Sequence, residues 1–150
     1  LKTNIGEAEL CGGDARIDFK PLQGCAIWAR AAYVHGEDLL TDKPLSQIAP
    51  FNGSIGYHNG CLSWISLDLS AVMFATQERL ANGEVRTPGY VYYNFYLNSR
   101  AIPLGNARSF ITLGVENITN RAFRNHLSTN RGLVAIEPGR NIIATWRMEI

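Results

Sequence analysis

The sequence predicts an all-β protein made of antiparallel, up-and-down transmembrane β-barrel strands. Three observations carry this. Period-two alternation of apolar and polar residues recurs along the chain, while helical periodicity is weak everywhere. The final segment, RNIIATWRMEI, puts Ile142, Ala144, Trp146, Met148 and Ile150 on one face of a strand. Asn141, Thr145, Arg147 and Glu149 fall on the other, with Ile143 the exception. The connections between strands alternate between short and long. Chain ends of soluble domains usually fray in water. A finished amphipathic strand at a terminus fits a barrel whose outer face meets lipid.

The strands follow in order. Strand A covers Ala8 to Lys20, with Ala15, Ile17 and Phe19 against Asp14, Arg16, Asp18 and Lys20. A bulge is expected at Gly12-Gly13, because Leu10 falls out of parity with the apolar face there. Strand B runs from Cys25 to His35, with Ile27, Ala29, Ala31 and Tyr33 opposite Trp28 and Arg30. Strand C covers Phe51 to Tyr57. Strand D, Leu62 to Thr76, alternates most clearly: Ile65, Leu67, Leu69, Ala71 and Met73 against Trp64, Ser66, Asp68 and Ser70. In strand E, Tyr90 to Asn98, Val91, Tyr93, Phe95 and Leu97 oppose Tyr92, Asn94, Tyr96 and Asn98. Strand F is Ser109 to Glu116, and strand G is the terminal one.

The connections A–B (Pro21 to Gly24) and C–D (an HNG turn at His58 to Gly60) are short. B–C (Gly36 to Pro50), D–E (Gln77 to Gly89) and F–G (Asn117 to Gly139) are long, and E–F (Ser99 to Arg108) is intermediate. Short turns at one end and long loops at the other are the asymmetry of an outer-membrane barrel. Strands of roughly ten residues tilted about 45° cross a bilayer. A soluble sandwich has alternating strands too, but no reason to sort its loops by length. If the long loops are external, strand G descends and Ile150 reaches the periplasmic rim. Tyr33, Tyr57, Tyr90, Tyr93 and Trp146 are then the candidates for interfacial aromatic girdles.

Composition bounds the alternatives. The chain has 150 residues, 46% apolar and 18% charged, with a net charge of +1. No stretch approaches ~18 uninterrupted apolar residues, so transmembrane helices are excluded. There is no argument for nucleic acid in the charge and no basic–aromatic RNA motif. Cys11, Cys25 and Cys61 are odd in number and lack metal-ligand spacing, and are read as small apolar strand residues. LKTNIGEAEL has neither the basic segment nor the apolar run of a signal peptide, and because Leu1 is not an initiator methionine the chain is expected to be a piece of something longer.

Catalytic signatures are missing. His35, His58 and His126 have no HExxH or related spacing, and GxSxG, GxGxxG and GxxxxGK[ST] are absent. No enzyme, cofactor or metal centre is expected. Each histidine is read as an exposed loop or turn residue. Loop F–G gathers Arg121, Arg124, His126, Arg131 and Arg140, an external basic cluster able to meet an anionic ligand such as a ferric chelate or a lipopolysaccharide phosphate. Arg121, Arg124, His126 and Arg131 are the candidate ligand-binding residues. Loop B–C carries His35, Glu37, Asp38 and Asp42, which could touch a cation.

Several segments resemble the C-terminal end of TonB-dependent outer-membrane receptors. LGVENITNRAFRNHLS (Leu113 to Ser128) and EPGRNIIATWRMEI (Glu137 to Ile150) are similar to the family's GVENLTN-aromatic-R and PGRN runs. The matching residues are Gly114, Val115, Glu116, Asn117, Thr119, Asn120, Phe123 and Arg124, then Pro138 to Asn141. NIGEAELCGGDARIDFKP, KPLSQIAPFNGSIGY and RTPGYVYYNFYL resemble further family segments in the right order, with Cys11 where an aromatic is usual. The resemblance implies the last strands of a barrel of about 22, without the plug domain. It implies uptake of a scarce nutrient: a ferric siderophore, cobalamin or a metal ion. The implied partners are that small ligand, the TonB complex acting through a plug absent here, outer-membrane lipid and the barrel-assembly machinery. The implied location is the outer membrane of a Gram-negative bacterium. Ile142, Ala144, Trp146, Met148 and Ile150 would form the signal the assembly machinery reads. The family usually ends in Phe or Trp rather than Ile. The other readings are a soluble β-sandwich binding module, whose apolar faces pack together, and a complete small barrel.

Overall fold

The computed structural model describes residues 6–132 and 135–150. Leu1, the Asn4-Ile5 opening of the first family-like segment, and Leu133-Val134 of the F–G loop lie outside the described residues. The chain forms one antiparallel sheet. Its strands are β1 (Ala8–Leu22), β2 (Cys25–Asp38), β3 (Lys43–Pro44), β4 (Asn52–Asn59), β5 (Ile65–Phe74), β6 (Tyr90–Ser99), β7 (Ile102–Leu104), β8 (Ala107–Glu116) and β9 (Asn141–Glu149). They pair in the order β1-β2-β4-β5-β6-β8, with β9 completing the far edge of β8. The short β3 sits beside β2, and β7 pairs with the start of β8. The up-and-down order follows the sequence because each connection joins neighbours. The outer edges of β1 and β9 have no partner strand among the described residues, so the sheet is open.

Register turns the alternation of single strands into two continuous faces. One row runs Phe19, Ile27, Tyr57, Leu69, Phe95, Val115, Ile142 across the sheet. Ile17, Ala29, Ile55, Ala71 and Tyr93 form the next. These residues stay in contact with the surroundings: Ile17 is 70% exposed and Ile142 77%. The opposite face is polar and internally bonded. His58 Nδ1 meets Asp68 Oδ1 at 2.7 Å, Asn98 Nδ2 donates to Asp68 Oδ2 at 2.9 Å, and Thr112 Oγ1 donates to Asn98 Oδ1 at 2.9 Å. That chain ties four strands together. Tyr96 OH donates to Glu116 Oε1 at 2.5 Å, and Gly114 lies beneath the Tyr96 ring, where a Cβ would collide with it. Ile143, the residue out of alternation in the last strand, lies opposite Gly114 on this polar face.

Several expectations are corrected. No bulge occurs at Gly12-Gly13; the β1–β2 register runs unbroken through them and shifts only between Phe19 and Leu22. Leu10 faces the polar side, where its Cδ1 and those of Leu45 and Ile48 reach over Gly36 while the side chain stays largely exposed. His58 and Asn59 belong to β4, and β5 begins at Ile65, so the C–D turn spans 60–64. Asn59 Oδ1 shapes it by accepting from Cys61 N at 3.0 Å. The E–F connection is largely ordered: β7 resumes the line of β6 and reverses into β8 at Gly105, whose φ is +63°. Tyr90 is not a lipid-facing girdle residue. It shares the polar face with Tyr92 and is 6% exposed, because a long loop folds over it. Tyr33, Tyr57, Tyr93 and Trp146 do lie on the apolar side.

The up-and-down order puts the loops 39–51, 75–89 and 117–140 at one end and the shorter turns at the other. Among the described residues the buried side chains are mostly polar: Gln77, Thr87, Ser109, Asn117 and His126, with Cys25 and Tyr90. Gln77, Thr87, Tyr90, Asn117 and His126 lie at or beside the long loops. The packed interior therefore sits under those loops rather than between two sheets.

Candidate functional site

The loop 117–140 opens with two asparagines in left-handed backbone, Asn117 (φ +49°) and Asn120 (φ +52°). Asparagine tolerates this region better than most residues. Asn117 Oδ1 accepts from Arg121 N and its Nδ2 donates to Arg121 O, both at 2.9 Å. Asn120 Oδ1 accepts from Arg140 N at 2.8 Å, fastening the Pro138-Gly139 turn that feeds β9. The NITN and PGRN segments thus clamp the two ends of one loop. Within it, α1 (His126–Asn130) is capped by Asn125, whose side chain accepts from Leu127 N and Ser128 N.

The clamp turns the loop inward. Phe123 stacks on Tyr90 with ring centroids 4.2 Å apart and on Tyr92 at 5.2 Å, while Phe74 backs Tyr90 at 4.9 Å. Polar contacts knit the three long loops. Glu84 Oε1 accepts from Gln47 N at 2.6 Å, and its Oε2 lies 3.7 Å from His126 Nε2. Thr87 Oγ1 meets His126 Nδ1 at 3.0 Å, Val85 N donates to Asn130 Oδ1 at 2.9 Å, and Gln77 Nε2 donates to Ile48 O at 2.8 Å.

Beside the aromatic stack lies a cleft of about 360 Å³, lined by Arg86, Tyr90, Arg121, Phe123, Arg124 and Ile136. Its cations all sit on exposed loop positions. Arg86 pairs with Glu78 at 3.0 Å, whereas among the described residues neither Arg121 nor Arg124 has a carboxylate within salt-bridge distance. Guanidinium groups beside an aromatic floor can hold a planar or multiply charged anion through forked hydrogen bonds and stacking.

The structure sorts the four candidate ligand residues. Arg121 and Arg124 share the cleft. His126 is 2% exposed and lies behind it, tying α1 to the 75–89 loop, so its reading as an exposed loop residue is corrected. Arg131 does not line the cleft; its Nε donates to Gln47 Oε1 at 3.0 Å. Arg140 donates to Ile118 O at 3.0 Å. Arg86 and the hub Glu84 were not singled out by sequence. The charges of the 75–89 loop, on the same end of the sheet as 117–140, were the available signal. His35 and Glu37 are 3.2 Å apart, and Arg79 lies against both. Among the described residues no three His, Cys, Asp or Glu side chains converge as a metal site.

At the turn end, Cys25 and Cys61 are not isolated small residues: their sulfurs lie 2.8 Å apart. This contact raises the Cys61 thiol above its ordinary value, through the hydrogen bond first and desolvation second.

This architecture is all-β, an open run of antiparallel barrel-type strands. The chain is similar to a solved structure of the copper transporter OprC, with a TM-score of 0.77 and 20% identity, over 94% of this chain and 23% of that one. It therefore spans less than a quarter of that protein's length, and the likeness is one of fold. No family model matches the chain, and no curated protein matches it.

Proposed function

We propose that the chain is the C-terminal segment of the β-barrel of a TonB-dependent receptor in the outer membrane of a Gram-negative bacterium, and serves uptake of a scarce nutrient. The observation that carries this is the continuous bare apolar face, traced through register across seven strands and backed by a bonded polar face. A soluble sandwich would cover that face with a second sheet, and the described residues supply none. The fold shared with part of a copper transporter supports a barrel wall. The order of family-like segments supports the TonB-dependent class.

In this reading the apolar face contacts lipid, the long loops are external, and the open edges of β1 and β9 pair with barrel strands outside this chain. Unpaired edges in a membrane carry unsatisfied backbone groups, so the segment works as part of a closed wall. Ile142, Ala144, Trp146, Met148 and Ile150 present the strand that the assembly machinery engages. TonB acts through a plug domain elsewhere in the protein. The role is binding and passage, without catalysis. Arg121 and Arg124 contact the ligand, with Arg86 beside them; His126 and Arg131 hold the loops in place. This cleft favours an anionic chelate, such as a ferric siderophore, over a bare cation or the neutral part of cobalamin.

The test is uptake. A strain lacking the full-length protein is offered a panel of labelled ferric siderophores, cobalamin and copper. One compound should fail to enter and be restored by the native gene. Replacing both arginines (R121Q, R124Q) should lower its affinity by well over tenfold, since each hydrogen bond to a charged group contributes ~1.5–3 kcal/mol. Normal uptake of every compound by the deletion strain would refute the proposal.

A further inference from the structure

The turn end of the sheet holds a feature that barrel-wall function does not use. Cys25 opens β2, directly opposite Asn59 of β4. Cys61 follows two residues later in the 60–64 turn. The turns at either side are locked together: Gly60 N donates to Gly24 O at 2.7 Å, and the Cys61 thiol lies 3.3 Å from Gln23 O. Gly24 permits this by taking φ +83° in the two-residue β1–β2 turn. The two sulfurs, separated by 36 positions in sequence, are brought to 2.8 Å. A disulfide needs ~2.05 Å, so roughly 0.8 Å of travel separates the thiols from a bond, within reach of a small side-chain rotation. Cys25 is 7% exposed, whereas Cys61 is open to solvent.

We propose that Cys25 and Cys61 form a disulfide that staples the β1–β2 turn to the β4–β5 turn. The inference rests on the outer-membrane reading, which places these turns in the oxidising periplasm, where disulfides persist. The oxidant is a disulfide of the thiol–disulfide exchange class. The exposed Cys61 thiolate attacks one sulfur of that disulfide, whose second sulfur leaves as a thiolate. Cys25 thiolate then attacks the Cys61 sulfur of the mixed disulfide, and the oxidant departs as a dithiol. Two thiols are oxidised, one disulfide is reduced, and the two protons pass to the departing dithiol. Cys11, on the apolar face of β1 opposite His35, has no thiol neighbour among the described residues and stays reduced.

The experiment uses the full-length protein from its source cells. Cells are quenched in acid, fractionated, denatured with a maleimide reagent, and digested for peptide mass analysis with and without prior reduction. The expected result is a linked peptide pair holding Cys25 and Cys61, unlabelled until reduced, while Cys11 is labelled at once. In parallel, the double variant C25S/C61S should lose its folded form at a lower temperature than the native protein. Should that variant fail to assemble, the labelling of native protein still decides. Free, labelled Cys25 and Cys61 in protein recovered from the outer membrane overturn the disulfide and leave the membrane reading intact. Recovery of the protein only from a soluble fraction overturns the membrane reading, and free thiols there overturn the disulfide as well. Linkage of either cysteine to another partner also overturns it.

Discussion

Leu69→Arg tests the facing of the sheet. Leu69 is the fifth of the ten residues of β5 and lies between Tyr57 and Phe95 on the apolar face. At ~3.3 Å per residue the strand is about 33 Å long, and at a tilt of about 45° it rises ~23 Å, close to the ~25 Å apolar band of such barrels. Leu69 therefore sits near the midplane, where an arginine facing lipid costs ~2–4 kcal/mol. That is about 30- to 1000-fold in the folding equilibrium, at ~1.4 kcal/mol per tenfold. Leu67→Arg, two residues nearer the turns, costs less because the penalty falls with depth. Asp68→Asn, between them in sequence but on the polar face, keeps its contacts with His58 and Asn98 as an amide and costs at most ~1 kcal/mol. The assay is a urea titration of the full-length protein in lipid vesicles, read by the loss of its heat-resistant folded band on gels. The predicted order of destabilisation is Leu69→Arg, then Leu67→Arg, then Asp68→Asn. A Leu69→Arg protein as stable as native, or less affected than Asp68→Asn, would refute the reasoning.

Two further outcomes follow from local geometry. Gly114→Ala places a methyl group under the Tyr96 ring and breaks the Tyr96–Glu116 hydrogen bond, so the same titration should show ~1–3 kcal/mol of lost stability. Phe123→Ala removes the stacks on Tyr90 and Tyr92, worth ~0.5–1.5 kcal/mol each beyond area burial. Protease cleavage within 117–140 should accelerate, because the loop loses its hold on Tyr90 and Tyr92 of β6.

Seven strands, their faces and the sorting of their loops were legible in the sequence because alternation over ten residues is a long signal, and register only aligned what each strand already displayed. Leu67, Leu69, Phe95 and Leu97 lie where alternation put them. Misreadings cluster where tertiary contacts act on short segments. Tyr90 is the first residue of its strand, and the inward turn of Phe123 decides its surroundings. Leu10 departs from the pattern at Gly36, where Leu45 and Ile48 reach in from the loop that follows β2. β7 is too brief to alternate visibly. In the site, Arg121 and Arg124 were visible as loop cations. The burial of His126 depends on Thr87 and Glu84, about forty residues away, and no local pattern announces it. The meeting of Cys25 and Cys61 likewise depends on the pairing of β2 with β4.

The measurement that tests the central claim most directly is the size and location of the native polypeptide in the source cell, by an antibody against this segment on fractionated membranes. The account predicts a band several times larger than the 16.6 kDa of this chain, confined to the outer membrane and extracted only by detergent. A band at 16.6 kDa, or protein released without detergent, would contradict it.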